Sequence, residues 1–454
     1  MTTVSDGIKQ ITRVRFDALC YSRQPHTELI TKETEWWEDS RGRVIGTVIF
    51  DLIDKDWSWI VLGRDERGLF RGIALDVSIE TQEKARIALH QALTKCAMSG
   101  EAFPQYDNSG KRHEIMQGHM PEDKLHKNFK FISEGLHHIA ARRMIEEVAL
   151  AFVDIDGNYA KDFQTTGFNA RLWELGLFAF LYEQKFNINH SYNRPDFFIS
   201  KQGYPIAIEA TTVNPTAGEE SLIPKNKDEL DRLRKDYMPI KFGSALYSKL
   251  RKKYWLLEHM KGVPLILAVH DFCAEGSMTW SAPSLSNYLY GSLPDWHKTS
   301  EGKLIITEHP IIEHTWNNKH IPSGFFKQPD SEYISAVLFS NSMTIAKFNR
   351  MGVLAGFGHE EVRMFRRGIR HNFDPNATEG TPFCEEVIIG KYDEKWSDGI
   401  ELFHNPNALI PISEEFFPDC THHYFDGQRR TWTPKNSDYI HSSITNVMVI
   451  KHDE

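Results

Sequence analysis

Asp196 and Glu209 are two carboxylates set in apolar surroundings, and they are the residues of this chain best placed to do chemistry. They lie in the stretch FNINHSYNRPDFFISKQGYPIAIEATTV, whose short apolar runs are rich in β-branched and aromatic residues and are broken by the Lys201-Gln202-Gly203 step. That pattern predicts strands joined by a tight turn. Alternation along the second strand puts Ala207, Glu209, Thr211 and Val213 on one face, and Tyr204, Ile206, Ile208, Ala210 and Thr212 on the other. A carboxylate inside PIAIEATTV is costly to bury unless it is paired or bound to a cation. A hairpin folded at Gly203 brings Asp196 near Glu209. Two carboxylates held together repel, and a divalent metal relieves the repulsion.

A third acid belongs to the preceding element. NARLWELGLFAFLYEQKF is apolar nearly all round, as a buried helix is. Glu174 has Leu177, Phe178 and Leu181 three, four and seven residues on, so it shares an apolar face and is expected to point toward the same metal. The bland alternative is a half-buried hairpin whose acids cap turns or pair with Arg171 or Arg194.

A helix with Glu, a strand opened by Pro-Asp, a strand with Glu-x-Thr, a basic helix and a further apolar strand together resemble the PD-(D/E)XK nuclease superfamily. The resemblance covers roughly residues 169–272. It implies an α/β fold with a restriction-endonuclease-like mixed sheet flanked by helices. It also implies a magnesium (or manganese) site made by Glu174, Asp196, Glu209 and the carbonyl of Ala210. The departure is Thr211, where the family usually has a Lys that orients the attacking water and stabilises charge developing on the phosphate. The basic helix IKFGSALYSKLRKKYW follows at the right place to donate a replacement. Lys241, Lys249 and Lys252 are the candidates, with Lys249 carried forward as the catalytic cation. The activity implied is metal-dependent hydrolysis of phosphodiester bonds in nucleic acid, DNA foremost, in a setting such as restriction or anti-phage defence, with a homodimer or a partner protein of such a system conceivable. The other reading is a catalytically silent nuclease fold that binds nucleic acid or a protein partner, and Thr211 is its best argument. A third is an unrelated α/β enzyme using its carboxylates for acid–base chemistry on a small molecule.

Composition sets the frame. A chain of 454 residues is long for one core, so two or three domains are expected. A formal net charge of −9 argues against coating nucleic acid by bulk charge. Yet between Lys225 and Lys261 eleven Lys and Arg face five Asp and Glu. This basic stretch directly follows the acids, and Lys241, Arg251, Lys252 and Lys253 are the expected phosphate contacts. The five cysteines are scattered, so neither a disulfide framework nor a zinc ribbon is suggested. The first residues lack the apolar core of a signal peptide and no apolar run is long enough to span a bilayer, so a cytoplasmic location is expected.

The elements that must hold the site fall into four segments. Residues 1–100 read as a β-rich domain, an antiparallel meander covered by a helix capped by Thr81. Trp36, Trp37, Trp57 and Trp59 read as core there, with a base-stacking platform the sharper alternative. Residues 101–124, polar and holding His113 and His119, read as a linker. Residues 125–345 form the nuclease-like α/β core, with residues 214–238 as a lid or loop and SEYISAVLFSNSMTIAKF as one or two strands. Residues 346–454 form a C-terminal α/β extension.

Overall fold

The computed structural model describes residues 7–450 apart from 22, 26, 100–102, 104–113, 118–119, 156, 217–221 and 436–437. Most of the expected linker, with His113 and His119, lies outside the described residues. The architecture is mixed α/β in two compact units. None of the described helices is long and apolar enough to cross a membrane.

The first unit comprises Met1–Thr165, Phe348–Glu360 and Ile388–Asp393. Its sheet is an antiparallel meander of β1 (Ile8–Ile11), β2 (Thr31–Asp39), β3 (Val44–Asp51), β4 (Trp57–Arg64) and β5 (Phe70–Ile79) in sequential order. The helix Gln82–Met98 is started by Thr81, whose Oγ1 accepts from the Lys84 N–H at 3.3 Å. Its Ala85, Leu89 and Leu93 pack on Val44, Val48 and Val61. Trp59 belongs to this core, and Trp37 and Trp57 pack against it. The Trp36 indole donates to Glu33 Oε2 at 3.0 Å. Trp37, Trp57 and Trp59 thus serve packing, as the blander reading expects, whereas Trp36 does not join that core.

The second unit comprises Thr166–Lys347, Glu361–Val387 and Glu394–Glu454. Its strands are β6 (Asn187–Asn189), β7 (Phe197–Lys201), β8 (Tyr204–Val213), β9 (Leu265–Asp271), β10 (Ser292–Lys298), β11 (Leu304–Pro310), β12 (Glu313–Trp316), β13 (Lys319–Pro322), β14 (Ile334–Ser340), β15 (Val362–Arg370), β16 (Thr381–Glu386), β17 (Glu401–His404), β18 (Thr421–Phe425), β19 (Arg430–Thr433) and β20 (Ile440–Val449). Eight of them form the central sheet in the order β19-β18-β17-β14-β9-β8-β7-β6. β8, β9 and β14 run parallel to one another, while β7 is antiparallel to β8 and β17 to β14. Every residue of β9 and β14 is buried, as expected of parallel strands covered on both faces. Three strands of the expected C-terminal extension, β17, β18 and β19, continue this sheet, so the boundary expected at residue 345 falls within one layer. β10 with β11 and β12 with β13 form hairpins, and β16-β15-β20 form a separate sheet.

The helix Met238–Leu250 buries Phe242, Leu246 and Leu250 against the face of β8 and β9 that carries Ala207, Val213, Leu267 and Val269. The helix Phe168–Glu183 serves the other face, where the Trp173 indole donates to the Ala268 carbonyl at 3.2 Å. Two segments differ from the sequence expectation. The later part of the lid or loop is helical, from Lys227 through Tyr237, because Asn226 caps it by accepting from the Glu229 N–H. The apolar run after β14 turns into a helix, Ile345–Leu354, rather than a second strand.

Candidate active site

The hairpin β7–β8 turns through Gln202 and Gly203, both at positive φ (51° and 84°), with Lys201 facing Tyr204. A two-residue turn of that kind fixes the register, pairing Phe197 with Ile208. Asp196, one residue beyond the ladder, therefore falls opposite Glu209. The contacts follow from this register: the Asp196 N–H donates to Glu209 Oε2 at 3.3 Å, and the Ala210 N–H donates to Asp196 Oδ2 at 2.7 Å.

Ala210 marks where β8 loses its neighbour on the β7 side. In an extended strand the N–H and C=O of one residue point to the same edge. The Ala210 N–H reaches Asp196, so its carbonyl also points into the gap beside that carboxylate.

Glu209 is buried, and two donors converge on its Oε1. Lys249 Nζ approaches to 2.5 Å from the helix Met238–Leu250, and the Tyr254 hydroxyl donates at 2.5 Å from the turn beyond it. Burial, then the Glu209 and Asp196 charges, push the Tyr254 phenol upward, so it remains a protonated donor. Lys252 stands farther off, at 3.9 Å from the same oxygen.

Asp196 sits at the mouth, exposed to solvent as a residue. Its carboxyl is nevertheless pushed up to about 7 by the protein around it, then by the Glu209 and Glu174 charges, against the lowering effect of Lys249 and the Ala210 N–H. With the residue open to water, the two neighbouring carboxylates are the firmer cause. The site holds more negative charge than Lys249 offsets.

Glu174 is the one residue between Leu172 and Leu181 that is not buried, and its Oε2 accepts from Arg171 Nη1 at 2.8 Å. It is near enough to raise the Asp196 carboxyl, yet it engages Arg171, which the blander sequence reading assigns to an acid of the hairpin. Among the described residues, no three His, Cys, Asp or Glu side chains converge to hold a metal. The donor set that fits a hard cation is the Asp196–Glu209 pair with the Ala210 carbonyl oxygen, all oxygen ligands.

The basic residues separate. Lys241 Nζ donates to Thr216 Oγ1 at 3.1 Å and lies beside Asp271, away from the acid pair. Lys253 pairs with Asp330 at 2.8 Å. Arg251 and Lys252 are exposed in the turn just past the helix. Thr211 lies half-buried on the Glu209 face of β8, in register with Val269.

Tyr254 was not singled out from the sequence. The sequence signal that could have found it is a phenol at the end of the basic segment, among residues that must turn back toward the sheet. His259 was likewise missed: its Nε2 lies 2.8 Å from the Arg194 carbonyl, and its ring stacks on Tyr192 at 4.1 Å. Tyr192 and Arg194 stand just before Asp196 in the chain. In comparisons with known proteins, no family model, no curated protein and no solved structure matches the chain.

Proposed function

We propose that this chain is a metal-dependent phosphodiesterase acting on nucleic acid, DNA foremost, built on a restriction-endonuclease-like core. One observation carries the reading: Asp196 and Glu209 meet at the open edge of β8, and Lys249 arrives from the next helix at the Glu209 carboxylate. That lysine supplies, from another element, the cation that Thr211 does not. The order of helix, antiparallel hairpin, crossover helix and parallel strand, with the acid pair on the hairpin and Lys249 on the crossover helix, supports the core assignment.

A divalent cation held by Asp196, Glu209 and the Ala210 carbonyl would polarise the phosphate and lower the pKa of a bound water. The chain's own groups do the rest. Lys249 sets a positive charge beside the carboxylates, where charge develops on a phosphate in the transition state. Tyr254 and the Asp196 N–H fix the Glu209 carboxylate from two sides. The exposed Arg251 and Lys252 lie next in sequence to the Lys249 helix and can contact the phosphate backbone.

A second reading is favoured by the same contacts. Lys249 and Tyr254 both bond one Glu209 oxygen, which is how a site retained for binding alone would also be neutralised. Cleavage of supercoiled plasmid and of single-stranded DNA, with magnesium, manganese or chelator, separates the two. Metal-dependent cleavage that disappears in Asp196→Ala and Glu209→Ala is the expected result. Binding without cleavage in any metal would sink the enzymatic reading and leave the silent fold.

A further inference from the structure

β9 ends on a buried acid. Asp271 is 1% exposed and shares the face of Leu267 and Val269, the same face that carries Glu209 on β8. Its Oδ1 accepts from the Cys273 N–H at 2.7 Å, where the chain leaves the strand. Its Oδ2 makes no hydrogen bond among the described residues. The chain then runs through the turn Ser277–Thr279 into the helix Ala282–Tyr290. This connection is fastened over the end of β14, where Asn341 Nδ2 donates to the Met278 carbonyl at 2.9 Å. It brings in Ser277, Ser281 and Ser284, all buried, and their three hydroxyls are likewise without a hydrogen-bond partner among the described residues. The Ser281 and Ser277 hydroxyls stand close enough to the Asp271 carboxyl to pull it down against its burial, yet outside hydrogen-bond geometry. Ser284 follows Ser281 by about one turn, on the same side of the helix.

We propose that Asp271, Ser277, Ser281 and Ser284 are the oxygen ligands of an alkali-metal cation, sodium or potassium. Buried oxygens that approach a carboxylate without bonding it are arranged as the ligands of a shared ion are. Ligands held about 2.3–2.6 Å from an ion of calcium's size, which sodium shares, stand about 3.3–3.7 Å apart when at right angles, beyond the roughly 3 Å of an O–H···O hydrogen bond. Each serine oxygen has lone pairs to give such an ion. A buried water would satisfy the hydroxyls but leave the charge of the carboxylate uncompensated. Lys241 lowers that carboxyl from a distance, but its Nζ donates to the exposed Thr216. The amino end of the helix favours a carboxylate nearby, yet gives no N–H to Oδ2. Divalent sites draw on several carboxylates; one carboxylate among neutral oxygens balances a single positive charge.

This site is separate from the acid pair. Leu267 lies opposite Glu209 in the ladder and Asp271 four residues further on, so the two acids stand roughly 13 Å apart along the strands. A two-metal centre needs about 4 Å. The ion therefore takes no part in the chemistry proposed at Asp196 and Glu209, and its assignment does not depend on that chemistry. It clamps the connection from β9 to the helix onto the end of the sheet.

The test is thermal unfolding of the intact protein in chelator, at one ionic strength made up with choline chloride that is replaced stepwise by sodium or potassium chloride. The midpoint should rise and saturate with one of the two ions, by roughly 3–5 °C at ten times the half-saturating concentration. Asp271→Asn should remove the rise. If that variant does not fold, Ser281→Ala and Ser284→Ala decide, each raising the half-saturating concentration about fivefold or more. Asp196→Asn should keep the whole response, so the outcome is independent of whether the chain cuts nucleic acid. Sodium-23 magnetic resonance reads the ion directly: the parent protein should broaden the line, and Ser281→Ala should broaden it less. Equal midpoints in choline, sodium and potassium would overturn the proposal and leave Asp271 a protonated acid among ordered waters. A rise that never saturates and is unchanged in Asp271→Asn or Ser281→Ala is a general salt effect and overturns it too.

Discussion

Replacing Lys249 by Met should unfold the site before it slows any chemistry. The Lys249 side chain is 18% exposed and that of Glu209 4%, so the ammonium is the main counter-charge of a buried carboxylate. Removing one partner of a buried pair typically costs about 3–5 kcal/mol, because the other charge is left behind. Here the Tyr254 hydroxyl and the Asp196 N–H still donate to Glu209, which brings the loss below that range, to about 2–3 kcal/mol. Glu209→Gln should cost less, since Lys249 can reach water, and the double variant should recover most of the Lys249→Met loss. Urea unfolding in chelator, followed by near-ultraviolet circular dichroism, gives the four corners of that cycle. Magnesium should then stabilise Lys249→Met more than the parent, because no ammonium competes for the oxygen. A Lys249→Met loss below about 0.5 kcal/mol, or no coupling with Glu209→Gln, would refute the argument that this contact neutralises the site.

Other outcomes follow from the same geometry. The raised Asp196 carboxyl means that, from the ordinary carboxylate range up to about pH 7, the native state holds a proton the unfolded chain releases, so stability falls as pH rises through that window. Asp196→Asn removes this dependence. In chelator its unfolding free energy should gain on the parent's between pH 5 and pH 8, by about 1 kcal/mol once screening at an exposed residue is allowed for; a constant gap speaks against it. In the first unit, a Cβ at Gly352 would meet the Ala140 carbonyl oxygen at 2.2 Å. Gly352→Ala should therefore lower the melting temperature despite the roughly 1 kcal/mol it gains in helix propensity, and a rise would contradict the contact. If Arg251 and Lys252 contact phosphates, replacing either by Ala should lower the slope of log affinity against log salt by about one, equally for all DNA sequences, whereas Lys253→Ala, already paired with Asp330, should leave it nearly unchanged.

What could be read in advance was what local chain geometry dictates. Gly203 implies a tight turn, a two-residue turn fixes a register, and that register sets Asp196 opposite Glu209 without any long-range knowledge. The buried helix of Glu174 and the Thr81 cap are local in the same sense. Which lysine reaches Glu209 is not local. Lys241 and Lys249 share a helix, and the direction each points depends on how Phe242, Leu246 and Leu250 seat that helix on the sheet. Lys252 lies past the helix end, in a turn that includes Lys253 at a φ of 50°. The joining of β17–β19 to the sheet is less legible still. β14 pairs with β17 across a long stretch that includes a helix and the strands of another sheet, and nothing in either strand's own sequence selects its partner. The same non-local pairing assembles a ladder of rings: Phe403, His423 and Trp432 look like unrelated aromatic residues along the chain, and only the register of three strands sets their faces together. Chemistry carried on a single hairpin is thus legible from sequence, while chemistry assembled across distant strands needs the fold.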